Sequence, residues 1–215
     1  MKQASRLILA LDIADRSKAM GIVGKVAGSI DAVKVNYPFV LGCGMGAVKE
    51  LAAETDVICD FKVADIPNTN RLIVEQAKKS GAKAIICHAF PGRDSLEACV
   101  KAAGGMDVFV VTEMSHPGAE MFMTPVAESM ARLAVDVGAA GIIAPATRPE
   151  KVMALRKIVG NLKILSPGVG AQGGSAADTI RAGADYVIVG RAIYESGDPA
   201  EAARKLAAEI GGALR

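Results

Sequence analysis

The 215-residue chain contains no tryptophan, and aromatic residues make up only 4% of it. Lys plus Arg number 25 against 23 Asp plus Glu, for a formal charge of +2. It therefore has neither the basic stripe nor the stacking platforms that a nucleic-acid groove needs, and nucleic acid is not an expected partner. A small anionic ligand, which one or two placed cations can hold, remains compatible. Histidine is scarce too. His88 and His116 have no ligand spacing with each other and no Cys or Glu in a metal pattern nearby, so no metal site is expected. The four cysteines, Cys43, Cys59, Cys87 and Cys99, form no Cys-x-x-Cys pair and read as small hydrophobes in a reducing cytosol. No apolar run is long enough to cross a membrane. The opening "MKQASRLILALDIADR" meets Asp12 and Asp15 too soon for a signal peptide. These absences predict a soluble, cytoplasmic protein with no membrane contact.

Hydrophobic residues are plentiful, at 51%, enough for one large core and a single domain over residues 1–215. Eight short apolar runs recur: "RLILALD", "DAVKV", "DVICDFKV", "KAIICHA", "DVFVVTEM", "GIIAP", "KILSP" and "DYVIVG". Gly28, Gly81, Gly104, Gly138, Gly160 and Gly183 precede six of the seven later runs, where a left-handed glycine would end a helix. Pro67 and Pro149 stand where a first helical turn tolerates proline. Ala203, Leu206, Ala207 and Ile210 share one helical face. Buried strands alternating with helices predict a parallel sheet, and eight such units predict a (β/α)8 TIM barrel. A doubly wound sheet is the alternative, since the pattern alone does not show closure.

In a barrel the chemistry sits at the C-terminal ends of the strands. Asp12 ends the first run, Lys34 the second, Asp60 and Lys62 the third and His88 the fourth, while Thr112 and Ser115 follow the fifth. "SPGVGAQGG" and "GRAIY" follow the seventh and eighth. Asp60 and Lys62, two apart on a strand, are expected on one face, with Asp65 just beyond. Burying charge costs several kcal/mol per ion even when paired, so stability is a poor motive for this cluster, although a structural ion-pair network is the alternative. An opposite charge about 4 Å away is worth about 4 kcal/mol in a protein site. Flanking carboxylates should therefore keep Lys62 an ammonium and a proton donor.

Gly168, Gly170 and Gly173 have the G-x-G-x-x-G spacing, but the following acid, Asp185, begins its strand rather than ending it, which disfavours a dinucleotide site. A phosphate site built from the last two loops, with Arg191 forked onto the oxygens, fits better. Turn glycines beside a solvated Arg191 are the alternative. His88 reads as a hydrogen-bonded core residue. Ser115 has no G-x-S-x-G elbow and is not read as a nucleophile. The methionines of "MSHPGAEMFM" read as apolar packing in a loop long enough to act as a lid.

Taken together, "LALD", "VKVNYP", "DFKVADIPNT", "TEMSHPGAEMF", "SPGVGAQGG" and "VGRAIY" closely resemble the orotidine 5′-monophosphate decarboxylase family in its compact microbial form, from the first strand to the last. Asp-x-Lys-x-x-Asp alone is shared with magnesium-dependent keto-gulonate phosphate decarboxylases and hexulose phosphate synthases. "DIPNT" and "SPGVGAQ" favour the orotidylate branch. The resemblance implies decarboxylation of orotidine 5′-monophosphate to UMP with no cofactor and no metal. It implies that Asp60 faces the leaving carboxylate and that Lys62 stabilises and protonates the carbanion. Lys34 and Asp65 would complete the charged network, with Asp65 and Thr69 reaching the neighbouring site of a homodimer. Asp12 would bind ribose, Ser115 the pyrimidine, and Gln172, Gly190 and Arg191 the phosphate, with Pro167 and Val169 of the same loop lining the substrate site. Asn36 stands where similar sequences often carry glycine. A magnesium-dependent sugar-phosphate lyase and a non-catalytic nucleotide-binding protein are the alternatives.

Overall fold

A computed structural model describes residues 1–214. Eight parallel strands, β1 Leu7–Leu11, β2 Ala32–Val35, β3 Val57–Val63, β4 Ala84–His88, β5 Asp107–Val111, β6 Gly141–Ile143, β7 Lys163–Pro167 and β8 Tyr186–Val189, pair in chain order and close into a barrel. Closure comes from β8 against β1, with Leu7 opposite Val187 and Leu9 opposite Val189. The doubly wound alternative is thereby excluded. The helices are α1 Arg16–Val26, α2 Tyr37–Glu54, α3 Pro67–Lys79, α4 Arg93–Ala103, α5 Ala119–Phe122, α6 Ala127–Asp136, α7 Pro149–Val159, α8 Ala176–Arg181, α9 Arg191–Tyr194 and α10 Pro199–Ala213.

The period-2 pattern of each strand divides the core in two. Leu7, Leu9 and Leu11, with Val33, Val35, Val57 and Cys59, pack outward against the helices. Ile8, Ala10, Ala32, Ile58, Ile86, Phe109, Leu165 and Ile188 fill the barrel interior. Burial on both faces explains why the strands read as continuous apolar runs. At the N-terminal end, buried Asp31 accepts the backbone N–H groups of Ala4, Ser5 and Arg6, and the Tyr186 hydroxyl donates to the Lys2 carbonyl at 2.6 Å. That end is tied shut by structural bonds, leaving the other rim for chemistry.

Pro67 and Pro149 open α3 and α7 as expected, and Ala203 and Ile210 are the fully buried positions of α10. Gly81, Gly104, Gly138, Gly160 and Gly183 have positive φ. Gly28 does not: α1 instead closes through right-handed Ala27, with Ser29 N–H bonded to the Val26 carbonyl at 2.8 Å. Cys59, Cys87 and Cys99 are buried and Cys43 is half-buried, all as free thiols. No helix among the described residues is long and apolar enough to cross a membrane.

Candidate active site

Between Cys59 and Val63 strand β3 advances four residues while β4 advances two, since Cys59 lies opposite Ile85 and Val63 opposite Cys87. The surplus is taken up in an irregularity whose centre is Lys62, with a φ of +45°. A left-handed non-glycine residue is costly and persists only where its surroundings impose it. Here Phe61 and Val63 pack outward, so Asp60 and Lys62 both face inward as the strand alternation predicts. Tyr37, at the start of α2, stacks on Phe61 with ring centroids 5.8 Å apart. Its hydroxyl donates to the Phe61 carbonyl at 2.7 Å. The peptide preceding Lys62 is thus held from the neighbouring β/α unit.

Lys62 Nζ lies 2.8 Å from Asp60 Oδ1, and Lys34 Nζ lies 2.8 Å from Asp60 Oδ2. The Lys34 and Asp60 side chains are each 7% exposed, whereas Lys62 is 37% exposed. The network therefore presents one ammonium to the open space and braces it from beneath. Burial alone would raise the Asp60 pKa, but Lys34 and Lys62 together outweigh it and hold the carboxyl below its ordinary value. The same carboxylate adds to the effect of burial in pushing the Cys59 thiol up to about 12, leaving it inert behind the strand.

These side chains open into a cavity of about 480 Å³ at the C-terminal rim. Asp12, Lys34, Asp60, Lys62, Ser115, Pro167, Val169, Gln172, Gly190 and Arg191 line it together, so ten of the candidates drawn from the sequence converge. Asn36, Glu113 and Tyr194 also line it and were missed. Glu113 occupies the inward position two beyond Val111, so the strand alternation could have found it. It is fully buried, accepts from Thr124 Oγ1 at 2.7 Å and lies 3.5 Å from Arg148. Gly168, Gly170 and Gly173 all have positive φ, as the tight β7 loop over the cavity requires. Asp185 pairs with Arg156 at 2.5 Å at the start of β8, away from this loop.

Asp65 and Thr69 are not in this cavity. Asp65 borders a separate groove with Ile66, Pro67, Pro91 and Asp94. Its backbone is clamped by the buried Asn70 side chain, which accepts from Asp65 N–H at 2.9 Å and donates to the Asp65 carbonyl at 2.9 Å. Ser95 Oγ donates to the same carbonyl at 2.8 Å. The carboxylate is left exposed beside Ile66, which is 65% exposed.

Three other sequence expectations need correction. Thr112 is buried and turned away from the cavity, donating to the Ile143 carbonyl at 3.0 Å. His88 is buried, but its Nδ1 has no hydrogen-bond partner; burial and Lys62, partly opposed by Asp60, lower its pKa to about 4. Of the methionines in "MSHPGAEMFM", Met114 and Met123 pack against the core as expected, but Met121 does not: it is 71% exposed, next to Phe122 at 77%.

A family model described as "Orotidine 5'-phosphate decarboxylase / HUMPS family" matches residues 5–206. The chain is 60% identical to the orotidine 5′-phosphate decarboxylase of Methanococcoides burtonii over 98% of this chain and 99% of that one. It is 58% identical to that of Methanosarcina barkeri over 98% and 96%. Among solved structures, orotidine 5′-monophosphate decarboxylase of Methanocaldococcus jannaschii complexed with the inhibitor BMP superposes with a TM-score of 0.91 at 44% identity, covering 95% of this chain and 97% of that one.

Proposed function

The chain belongs to the orotidine 5′-phosphate decarboxylase / HUMPS family, and on that premise we propose that it decarboxylates orotidine 5′-monophosphate to UMP in pyrimidine biosynthesis, using Lys62 as the catalytic cation and proton donor. The observation that carries this reading is the Lys34–Asp60–Lys62 chain, with both contacts at 2.8 Å and only Lys62 substantially open to the cavity. Loss of carbon dioxide leaves an electron pair on the pyrimidine carbon. A cation already fixed beside that carbon stabilises the developing charge without reorganisation and can then transfer a proton to it. Asp60, held ionised by two ammoniums, would orient Lys62 and face the departing carboxylate.

The remaining assignments follow the same geometry. Gln172, Gly190 and Arg191 gather on the β7 and β8 loops, suited to a phosphate. Ser115, Pro167 and Val169 would border the base and Asp12 the ribose. Binding energy from the phosphate can hold the ring against Lys62. Asp65 and Thr69, which lie outside their own chain's cavity, would serve the neighbouring site of a homodimer, a reading supported by the exposed carboxylate and the exposed Ile66 beside it. Each oxygen of Asp60 is engaged by an ammonium, an arrangement that favours the metal-independent branch over a magnesium-dependent sugar-phosphate lyase.

Ultraviolet absorbance of orotidylate, followed with and without a chelator, tests the proposal. Loss of substrate at an unchanged rate in chelator is expected. A chelator-sensitive reaction on sugar phosphates would replace the reading with the lyase, and UMP binding without turnover would replace it with a non-catalytic scaffold.

A further inference from the structure

Asn36 occupies the N-cap of α2, a position where asparagine is ordinarily selected because its side chain accepts a helix N–H. Here it makes no such bond. Its Oδ1 is buried without any hydrogen-bond partner, and the residue lines the active-site cavity. A buried, unsatisfied amide oxygen is costly, and capping does not account for it. A half-turn about the terminal torsion offers the cavity either the oxygen or the NH2 group, so the side chain can complement a hydroxyl in either role.

The strand order indicates which part of a nucleotide would meet it. Around the closed barrel β7 and β8 adjoin β1, β1 adjoins β2, and β2 adjoins β3. The loops assigned to phosphate follow β7 and β8, and Lys62 ends β3. The ribose joins the phosphate to the base, so it spans the sector between them, at the tips of β1 and β2. Asp12 projects from the first tip and Asn36 from the second.

We propose that Asn36 is a sugar-recognition residue, hydrogen-bonded to a ribose hydroxyl of the bound nucleotide and selecting ribonucleotides over the corresponding deoxy forms. The inference rests on reading the cavity as an orotidylate site. Because the contact is made in the ground state and the transition state alike, it acts on affinity rather than on the chemical step.

The test compares the parent with Asn36→Ala and Asn36→Gly, measuring UMP, 2′-deoxy-UMP and 3′-deoxy-UMP binding by calorimetry and orotidylate turnover by absorbance. Neither variant removes a cap bond, so both should fold, as circular dichroism would verify. The expected result is UMP binding weakened about threefold to tenfold, the scale of one neutral hydrogen bond. At least one deoxy analogue should bind parent and variants equally, and KM should rise while kcat holds. Equal weakening for all three nucleotides, or no weakening for UMP, would overturn the assignment of Asn36 while leaving orotidylate turnover intact. Failure of the parent itself to consume orotidylate would overturn the underlying reading as well.

Discussion

Lys62 grips Asp60 with both carboxylate oxygens in range, at 2.8 and 2.9 Å, from a backbone held at a φ of +45°. An L-residue in the left-handed region costs about 1–2 kcal/mol, a penalty from which glycine is exempt. Both Lys62→Ala and Lys62→Gly remove the same ammonium, so their difference isolates the backbone. Glycine should be the more stable of the two by about 1 kcal/mol in urea denaturation, reversing its usual disadvantage against alanine. Alanine ahead by its usual margin of about 0.5–1 kcal/mol would show that the left-handed position is not strained.

Lys62→Ala should reduce orotidylate turnover by at least about a hundredfold to a thousandfold, the scale of losing one preorganised charge-stabilising group. UMP carries no developing charge at the reacting carbon, so its affinity should change little. Asp60 keeps Lys34 as a partner at 2.8 Å, which protects the variant from an unpaired buried charge. Turnover within about tenfold of the parent, measured with UMP affinity beside it, would remove Lys62 from the chemistry.

Much of this site can be reached by one rule applied along the chain. Ala10, Ala32, Ile58, Ile86, Val111, Leu165 and Ile188 face the interior, and two residues beyond them stand Asp12, Lys34, Asp60, His88, Glu113, Pro167 and Gly190. The polar rim is the inward face continued past its apolar layers. Thr112 misleads because it falls on the opposite parity, where its hydroxyl bonds a neighbouring strand. The Lys62 dihedral is beyond local reading, since it depends on the register of β3 against β4 and on Tyr37, whose hydroxyl holds the Phe61 carbonyl from 24 residues before it. The outward set of Asp65 likewise depends on Asn70 and on Ser95, 30 residues along the chain.

Arg191 lines the cavity beside Gln172 and Gly190, at the end assigned to phosphate. Arg191→Ala should cost orotidylate turnover about 1.5–3 kcal/mol in kcat/KM, the value of a charge-assisted contact. Orotidine lacks the phosphate and should lose almost nothing. Comparable losses on both substrates would mean that Arg191 supports the loop rather than the ligand.

The buried imidazole of His88 sets an acid limit on stability. Its pKa is lowered from 6.5 to about 4, so between these values the unfolded chain takes up a proton that the folded chain refuses. Stability is complete above the upper value and falls as pH drops through the window, by about 3 kcal/mol at its foot. Asp60, whose pKa is depressed below 3.8, contributes its own loss only under more acidic conditions. Denaturant titrations across this range should show a slope in the parent that His88→Asn flattens. An unchanged slope in the variant would assign the acid sensitivity to other groups.

Asp65 is exposed and outside the cavity of its own chain, so its proposed role requires a second subunit. Lys62→Ala and Asp65→Ala, each impaired alone, can be mixed under conditions that let subunits exchange. In a mixed dimer one site receives both lesions, while the other combines Lys62 of one chain with Asp65 of its partner. Random pairing makes about half the dimers mixed, each with one intact site of two, so about a quarter of the parental activity should return across an isologous interface. If Asp65 instead served its own chain, every site would keep one lesion, and no mixture could exceed its components. Exchange verified by native mass spectrometry, with activity no higher than that of the separate variants, would therefore exclude the shared site.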